Sequence, residues 1–260
     1  MKRILLSGVI LAGTAFAAPA SAQTVVALVG ERTLAIVDAG ALQVTGSVEV
    51  TGFSGSLLGI DVRPADNILY GVVSDGSVVM IDVDTGAAKK TSTLETTLAE
   101  GVIATVDFNP AADRLRLMGS DGVSLRVNVD TGEVAIDGSH EYAAGDPGAE
   151  MEPMVVAGAY TNSIGRPGST DLYNIDAGAG VLVLQSPPND GVINTIGPIG
   201  VDAQTFAFDI LSTGEGMNTA YLMADDTLFT IDLSSGAATA LGRVKGADMP
   251  VRDIALLPAM

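Results

Sequence analysis

The sequence predicts an all-β chain folded as a β-propeller of five blades, with the C-terminal strand closing the N-terminal blade. Three observations carry this. A hairpin of apolar strand, acidic or amide residue and Gly turn recurs five times, at TLAIVDAGAL (33–42), SVVMIDVDTGAA (77–88), SLRVNVDTGEV (124–134), DLYNIDAGAGVL (171–182) and TLFTIDLSSGAA (227–238). Its markers Asp38, Asp82, Asn128, Asp176 and Asp232 step by 44, 46, 48 and 56 residues, the length of a four-stranded blade. No stretch shows sustained i, i+3, i+4 apolar periodicity, whereas Val, Ile, Leu and Thr alternate as in strands.

Taken in order, residues 1–22 read as an export signal. Lys2 and Arg3 form its positive end, Ile4 to Ala17 its apolar stretch, and Ala20, Ser21 and Ala22 its small-residue cleavage site. The mature chain then begins at Gln23 and forms one domain, 23–260, in the periplasm or the medium. No inner strand precedes the first hairpin, yet VRDIALLP at 251–258 repeats one found before the others: GIDVRPADNILYGV (59–72), TVDFNPAADRLRLM (105–118) and FAFDIL (206–211). Borrowing the tail to complete the first blade closes the ring and removes a free edge. Asp61, Asp107, Asp209 and Asp253 of this element are separated by 46, 102 and 44 residues, so one blade lacks it. That blade is the fourth, 154–176, which is read either as three-stranded or as borrowing EYAAG at 141–145. RPADN and NPAAD are first turns in which Pro fixes φ and Asp or Asn binds the local backbone, and DTG, DAG and SSG serve the later turns.

Three segments, TVDFNPAADRLRLMGSDGVSLRVNVDTG (105–132), AYTNS (159–163) and QSPPNDG (185–191), resemble the secreted bacterial family labelled domain of unknown function 4394. The resemblance covers nearly the whole mature chain and implies a propeller-like, signal-bearing protein; the family brings no activity or catalytic residues with it. AYTNS followed by DLYNID is also similar to short surface-protein propeller repeats, which supports the fold alone.

Composition excludes whole classes of function. The 260 residues carry 13 Lys and Arg against 31 Asp and Glu, a net charge of −18, or about −20 once the leader is removed. A nucleic-acid binder or polybasic membrane-surface protein needs the opposite balance, and no later apolar run is long enough to insert the mature chain in a membrane. Cysteine is absent and histidine occurs once, which removes disulfides, thiolate chemistry and His-rich metal sites. Asp84-Thr85-Gly86 and Asp130-Thr131-Gly132 reproduce the aspartic-protease tripeptide, but both fall in the repeated hairpin turn and read as turns.

Two sets of site candidates remain. Asp61, Asp107, Asp209 and Asp253, on the innermost strands, would ring the axis, where they either hold a hard cation such as Ca²⁺ or sit between blades, accepting backbone N–H bonds or pairing with an Arg such as Arg63 or Arg252. Repetition in register favours the structural role. The second set lies where the repeat fails: Tyr160, Thr161, Asn162, Ser163 and Arg166, with Gln185, Asn189 and Asp190, offer donors, acceptors and one base for a polar ligand. The irregular segments 95–103, 137–153, 161–169 and 187–204 are expected on one face, opposite RPAD and DTG. The segment 137–153 adds Asp137, Glu141, Asp146, Glu150 and Glu152 beside His140. The reading reached is a non-catalytic, monomeric binding module for a protein, glycan or small polar ligand, with no cofactor other than Ca²⁺ in view. Its alternatives are a Ca²⁺-assisted hydrolase, lactonase or lyase, and a structural envelope component.

Overall fold

The computed structural model describes residues 23–258. The first blade takes β1 (Thr24–Val29), β2 (Thr33–Asp38) and β3 (Gln43–Glu49), and the second β4 (Leu57–Arg63), β5 (Ile68–Val73), β6 (Ser77–Ile81) and β7 (Ala88–Thr93). The third is β8 (Ala104–Asn109), β9 (Arg114–Gly119), β10 (Ser124–Val127) and β11 (Val134–Ile136). After β12 (Glu141–Tyr142), the fourth blade has β13 (Val155–Tyr160), β14 (Leu172–Asp176), β15 (Val181–Gln185) and β16 (Val192–Pro198), with a 3₁₀ turn at Pro188–Asp190. The fifth has β17 (Phe206–Gly214), β18 (Met217–Ala224), β19 (Thr227–Ile231) and β20 (Ala238–Arg243), and β21 (Val251–Leu256) returns to pair antiparallel with β1. The five sheets form a five-bladed propeller whose innermost strands, β21, β4, β8, β13 and β17, touch one another in a ring. The C-terminal clasp is therefore as expected.

Burial falls from the axis outward. Every residue of β13 is buried, whereas β7 and β20 are half-buried to exposed. Apolar side chains fill the wedges between blades: Leu28, Leu57 and Ile60 between the first and second, Phe108, Leu115 and Leu117 between the second and third, and Phe208, Ile210 and Leu222 between the fourth and fifth. Each such side chain contributes about 1.5–3 kcal/mol by leaving water. The third and fourth blades differ, sharing a small cluster of Met118, Val155, Tyr160 and Leu172.

The repeated turn does structural work. Asp82 Oδ1 accepts the N–H groups of Asp84 and Thr85, Asp232 Oδ1 accepts that of Ser234, and Asn128 Oδ1 that of Asp130. Gly132 follows at φ 82°, where a Cβ would lie 2.0 Å from the Thr93 carbonyl oxygen at the end of the preceding blade's outer strand. Glycine is required there for both space and conformation, and the DTG tripeptides are turns.

The fourth blade takes one of its two expected forms and corrects the placement of its hairpin. It is not three-stranded but borrows from EYAAG: β12 adds in parallel to the outer edge of β16 as a fifth strand. Its Asp176 hairpin joins the second and third strands, whereas Asp38, Asp82, Asn128 and Asp232 end third strands. The irregular segments are therefore not all on one face. Residues 161–171 join the first and second strands of their blade, as RPAD does, and 186–191 join the third and fourth, as DTG does. Of the irregular segments, only 95–103, the end of 187–204 and the part of 137–153 that leads into β13 enter inner strands from the opposite face, beside 50–56 and 244–250, which enter β4 and β21.

The 161–171 loop crosses the lower end of the axis, where the inner strands finish. A Cβ on Gly165 would lie 3.7 Å from the Pro64 carbonyl of the second blade. Asn162, at φ 56°, anchors the loop: its Oδ1 accepts from Gly216 N (2.7 Å) and Asn218 Nδ2 (3.2 Å), its Nδ2 donates to the Ser169 carbonyl (2.9 Å), and its N–H donates to Asn218 Oδ1 (2.8 Å). Asn162→Ala should cost about 3 kcal/mol from three lost side-chain bonds and a left-handed backbone without an amide. Asn162→Gly, free of the backbone strain, should lose about 1 kcal/mol less. Urea denaturation measures both, and an unchanged Asn162→Ala midpoint would remove the loop's anchoring role.

Candidate functional site

The inner edge of an innermost strand has N–H groups that no further strand covers, and buried donors must find partners. Four aspartates supply them across blade boundaries. Asp253 Oδ2 accepts Ile60 N–H at 2.8 Å, Asp61 Oδ2 accepts Phe108 N–H at 2.7 Å, Asp107 Oδ1 accepts Tyr160 N–H at 2.9 Å, and Asp209 Oδ2 accepts Leu256 N–H at 2.7 Å. Asp61, Asp209 and Asp253 also accept the N–H of the next residue in their own strands. The fifth corner is Ala159, the residue before Tyr160. There the fourth and fifth blades are tied instead by Asn162, Asn218 and the Ser163 N–H bond to Ser212 Oγ (2.8 Å).

The expected ring of aspartates is thus in place, and each member binds a neighbouring blade's backbone, the structural one of the two roles the sequence left open. The arrangement also concentrates charge. One carboxylate oxygen each of Asp61, Asp107 and Asp209 lies within 4.8 Å of the other two. Burial pushes the Asp61 carboxyl well above its ordinary range, helped by the Asp209 charge. Burial followed by the charges of Asp61 and Asp209 does the same to Asp107. Asp253 is raised well above its ordinary range by burial, and Asp209 is pushed up to about 6 by burial against the N–H bonds of Leu256 and Ile210. Chemically, such a cluster can share protons or enclose a hard cation.

Above the ring, where the inner strands begin, lies a cavity of about 1000 Å³. All five blades line it, through Arg252, Leu58, Ala104, Val156 and Phe206 among others. Asp61, Asp107 and Asp209 sit three residues further along their strands than Leu58, Ala104 and Phe206, roughly 10 Å deeper at 3.3 Å per residue. The rim residues Glu100, Asp202 and Gln204 are exposed, so the cavity opens to solvent. Small residues keep it open: Ala99, Gly101, Ala177, Gly178, Ala179, Gly180 and Ala203 occupy the connections that a larger side chain would fill.

The second set of candidates does not face this cavity. Tyr160 and Asn189 converge on Arg116, which is fully buried between the third and fourth blades. Its Nε donates to Tyr160 Oη (3.2 Å), its Nη1 to Ser124 Oγ (3.0 Å) and to Asp137 Oδ2, and its Nη2 to Asn189 Oδ1 (2.9 Å). Gln185 accepts from Asn174 Nδ2 and donates to the Pro188 carbonyl. Thr161 Oγ1 accepts Asp171 N–H, while Arg166 and Asp190 are exposed. These eight residues therefore divide between the wedge beside Arg116 and the loop under the axis, rather than meeting at one mouth. The separation follows from the correction to the fourth blade: its extra length sits in its first-to-second and third-to-fourth connections.

The acidic segment 137–153 is likewise dispersed. Asp137 pairs with Arg116 and Arg126, Asp146 accepts from Gly148 N, Thr195 N and Thr195 Oγ1, and Glu141 lies on β12. His140 is buried, and burial followed by the Arg116 charge lowers it to about 4, so it is neutral at pH 7. Neither Arg63 nor Arg252 pairs with a ring aspartate as expected: Arg63 binds Asp66, Asp113 and Asp130, and Arg252 donates to the Gly30 and Leu57 carbonyls. Sequence reasoning missed Arg116, since a lone Arg on a strand gives no signal.

A search of the curated proteins found no match. Among solved structures, the chain is similar to a protein of unknown function from Bacteroides thetaiotaomicron VPI-5482, at 17% identity and TM-score 0.54, over 92% of this chain and 65% of that one. It is also similar to one of unknown function from Bacteroides caccae, at 14% identity and TM-score 0.44, over 88% of this chain and 74% of that one. A third likeness is to the computationally designed Ika8 protein, at 15% identity and TM-score 0.38, over 91% of this chain and 63% of that one. The likeness to the Bacteroides thetaiotaomicron protein speaks for the fold alone. The family model described as Domain of unknown function (DUF4394) matches residues 33–255, and the chain belongs to that family.

Proposed function

We propose that this propeller is an exported, non-catalytic binding module that takes a small ligand in its axial cavity. The observation that carries the reading is a single cavity of about 1000 Å³ lined by all five blades on the face where chain segments enter the ring. Its size suits a small organic molecule, and its wall offers polar and apolar groups in similar measure, so a ligand could be held by hydrogen bonds as well as by burial. The loop 161–171 crosses the other end of the axis, which favours entry from the cavity side. Export rests on Lys2, Arg3, Ile4 to Ala17 and Ala20 to Ala22, which lie outside the described residues; N-terminal sequencing of the exported protein should begin at Gln23, and retention of Met1 would contradict it.

The neutral fluorophore N-phenyl-1-naphthylamine tests the cavity directly. Saturable binding with one site per chain is expected, and Ala203→Trp at the mouth should abolish it. Absence of binding to the parent protein, or equal binding to the Ala203→Trp variant, would contradict a ligand site here.

A second reading, favoured by the 4.8 Å cluster, gives the axis a cation held by Asp61, Asp107 and Asp209. On that cation the Ca²⁺-assisted hydrolase alternative would depend. Protons and cations make opposite predictions. An aspartate raised from 3.8 in the unfolded chain to about 6 in the fold, as Asp209 is, stabilises the fold fully below pH 3.8 and loses that contribution as pH rises through 6. With protons alone, this ring should therefore lower stability by on the order of 2 kcal/mol per such group between pH 4 and 7. With a bound cation, the ionised form is the stabilised one, so Ca²⁺ should raise the melting temperature at pH 7.5 and a chelator should lower it. Melts at pH 5 and 7.5, with Ca²⁺ and with chelator, decide between them; no response to either additive would exclude the cation.

A further inference from the structure

Among the arginines of the described residues, Arg63, Arg116, Arg126 and Arg243 each have a carboxylate partner within ion-pair distance. Arg32, Arg114, Arg166 and Arg252 have none, and of these four Arg252 is the one in the wall of the axial cavity, where it is half-buried. Its Nη1 donates to the carbonyls of Gly30 and Leu57, both at 2.9 Å. These two bonds hold the guanidinium in place and leave Nε and Nη2 without a protein partner among the described residues. A fixed guanidinium with a free edge is preorganised for an oxyanion, because two N–H groups can be offered together without further loss of side-chain freedom.

Its surroundings complete a subsite. Ser56 precedes Leu57, and Ser56 N–H donates to Ser74 Oγ at 3.2 Å, which leaves the Ser74 hydroxyl proton free to donate; both serines line the cavity. The rest of the wall mixes polar Gln204 and Thr205 with an apolar part that includes Ile103, Val156 and Phe206. Arg252 is the one base in the lining, and the two lining acids, Glu100 and Asp202, are exposed at the rim. The neighbouring Asp253 is turned to Ile60 N–H. The overall negative charge of the chain acts on a ligand mostly in bulk solvent, where salt screens it beyond about 8–10 Å.

We propose that the cavity selects an amphipathic organic anion, with its oxyanion head on Arg252 and the serine hydroxyls and its hydrocarbon body against Ile103, Val156 and Phe206. The proposal rests on the cavity being a ligand site and adds the chemical class. Two probes with the same anilinonaphthalene body separate the two claims: neutral N-phenyl-1-naphthylamine and anionic 8-anilinonaphthalene-1-sulfonate. The parent protein should bind the sulfonate at least tenfold more tightly than the neutral probe. Arg252→Gln should lose that preference while binding the neutral probe within twofold of the parent. Because Arg252 also ties Gly30 to Leu57, Ser56→Asp provides a second variant that keeps those bonds and adds a negative charge to the cavity wall one residue from Leu57; it should lose the preference too. Neutral-probe binding with no preference for the sulfonate, or a preference that survives in both variants, overturns the anion subsite and leaves the cavity reading intact. Failure of both probes to bind the parent protein overturns both.

Discussion

A propeller must satisfy the backbone at its centre, and in this chain that constraint falls on four carboxylates. The innermost strand of each blade has one covered edge and one bare edge, and the bare edge faces a space too small for another strand. Asp253, Asp61, Asp107 and Asp209 reach across to it, each holding an N–H of an adjacent blade. The bonds are charge-assisted whenever the carboxylate is ionised, and burial makes losing one expensive. They also bring like charges together at the axis, so the device that links the blades resists full ionisation. The raised carboxyl groups are a consequence of closing the ring.

Departures from five-fold symmetry mark the rest of the molecule. At the remaining corner, on the fourth blade, Ala159 replaces the aspartate, and the amide network of Asn162 and Asn218 takes over the link between the fourth and fifth blades. Between the third and fourth blades the apolar wedge is small, and buried Arg116 ties Tyr160, Ser124, Asp137 and Asn189 together. A buried ion pair of this kind contributes little net stability against an apolar filling but is costly to break on one side. It links the irregular fourth blade to the regular third through Tyr160 and Asn189. The loop that crosses the lower axis and the open cavity above are the two ends of the same asymmetry.

Most of the architecture was legible because a repeat reports itself. Asp38, Asp82, Asn128 and Asp232 mark equivalent turns since the same Asx geometry is needed four times, and Asp253 betrayed the borrowed strand because it matched Asp61 without a blade of its own. The fourth blade was misplaced by one strand because DLYNIDAGAG has the same letters in a second-to-third hairpin that its siblings have in a third-to-fourth one. That single shift carried 161–169 to the wrong face and made Tyr160, Asn162 and Asn189 look like a mouth. Symmetry breaking pointed to this blade as the site, but its polar residues serve packing and linkage. The cavity left a fainter trace, since space is made by absent side chains, and Ala and Gly in connections read equally well as ordinary loops.

The central claim, that aspartates on one blade cap the bare inner edge of the next, is tested most directly by amide hydrogen exchange at Ile60, Phe108, Tyr160 and Leu256. These N–H groups lack any strand partner on the axial side, so their protection must come from the carboxylates. They are predicted to exchange as slowly as amides in the middle of second strands such as β5 and β9, through opening of the whole ring. Exchange at the rate of exposed loop amides would contradict the account, because the blades would then be held together by apolar wedges without an axial bond.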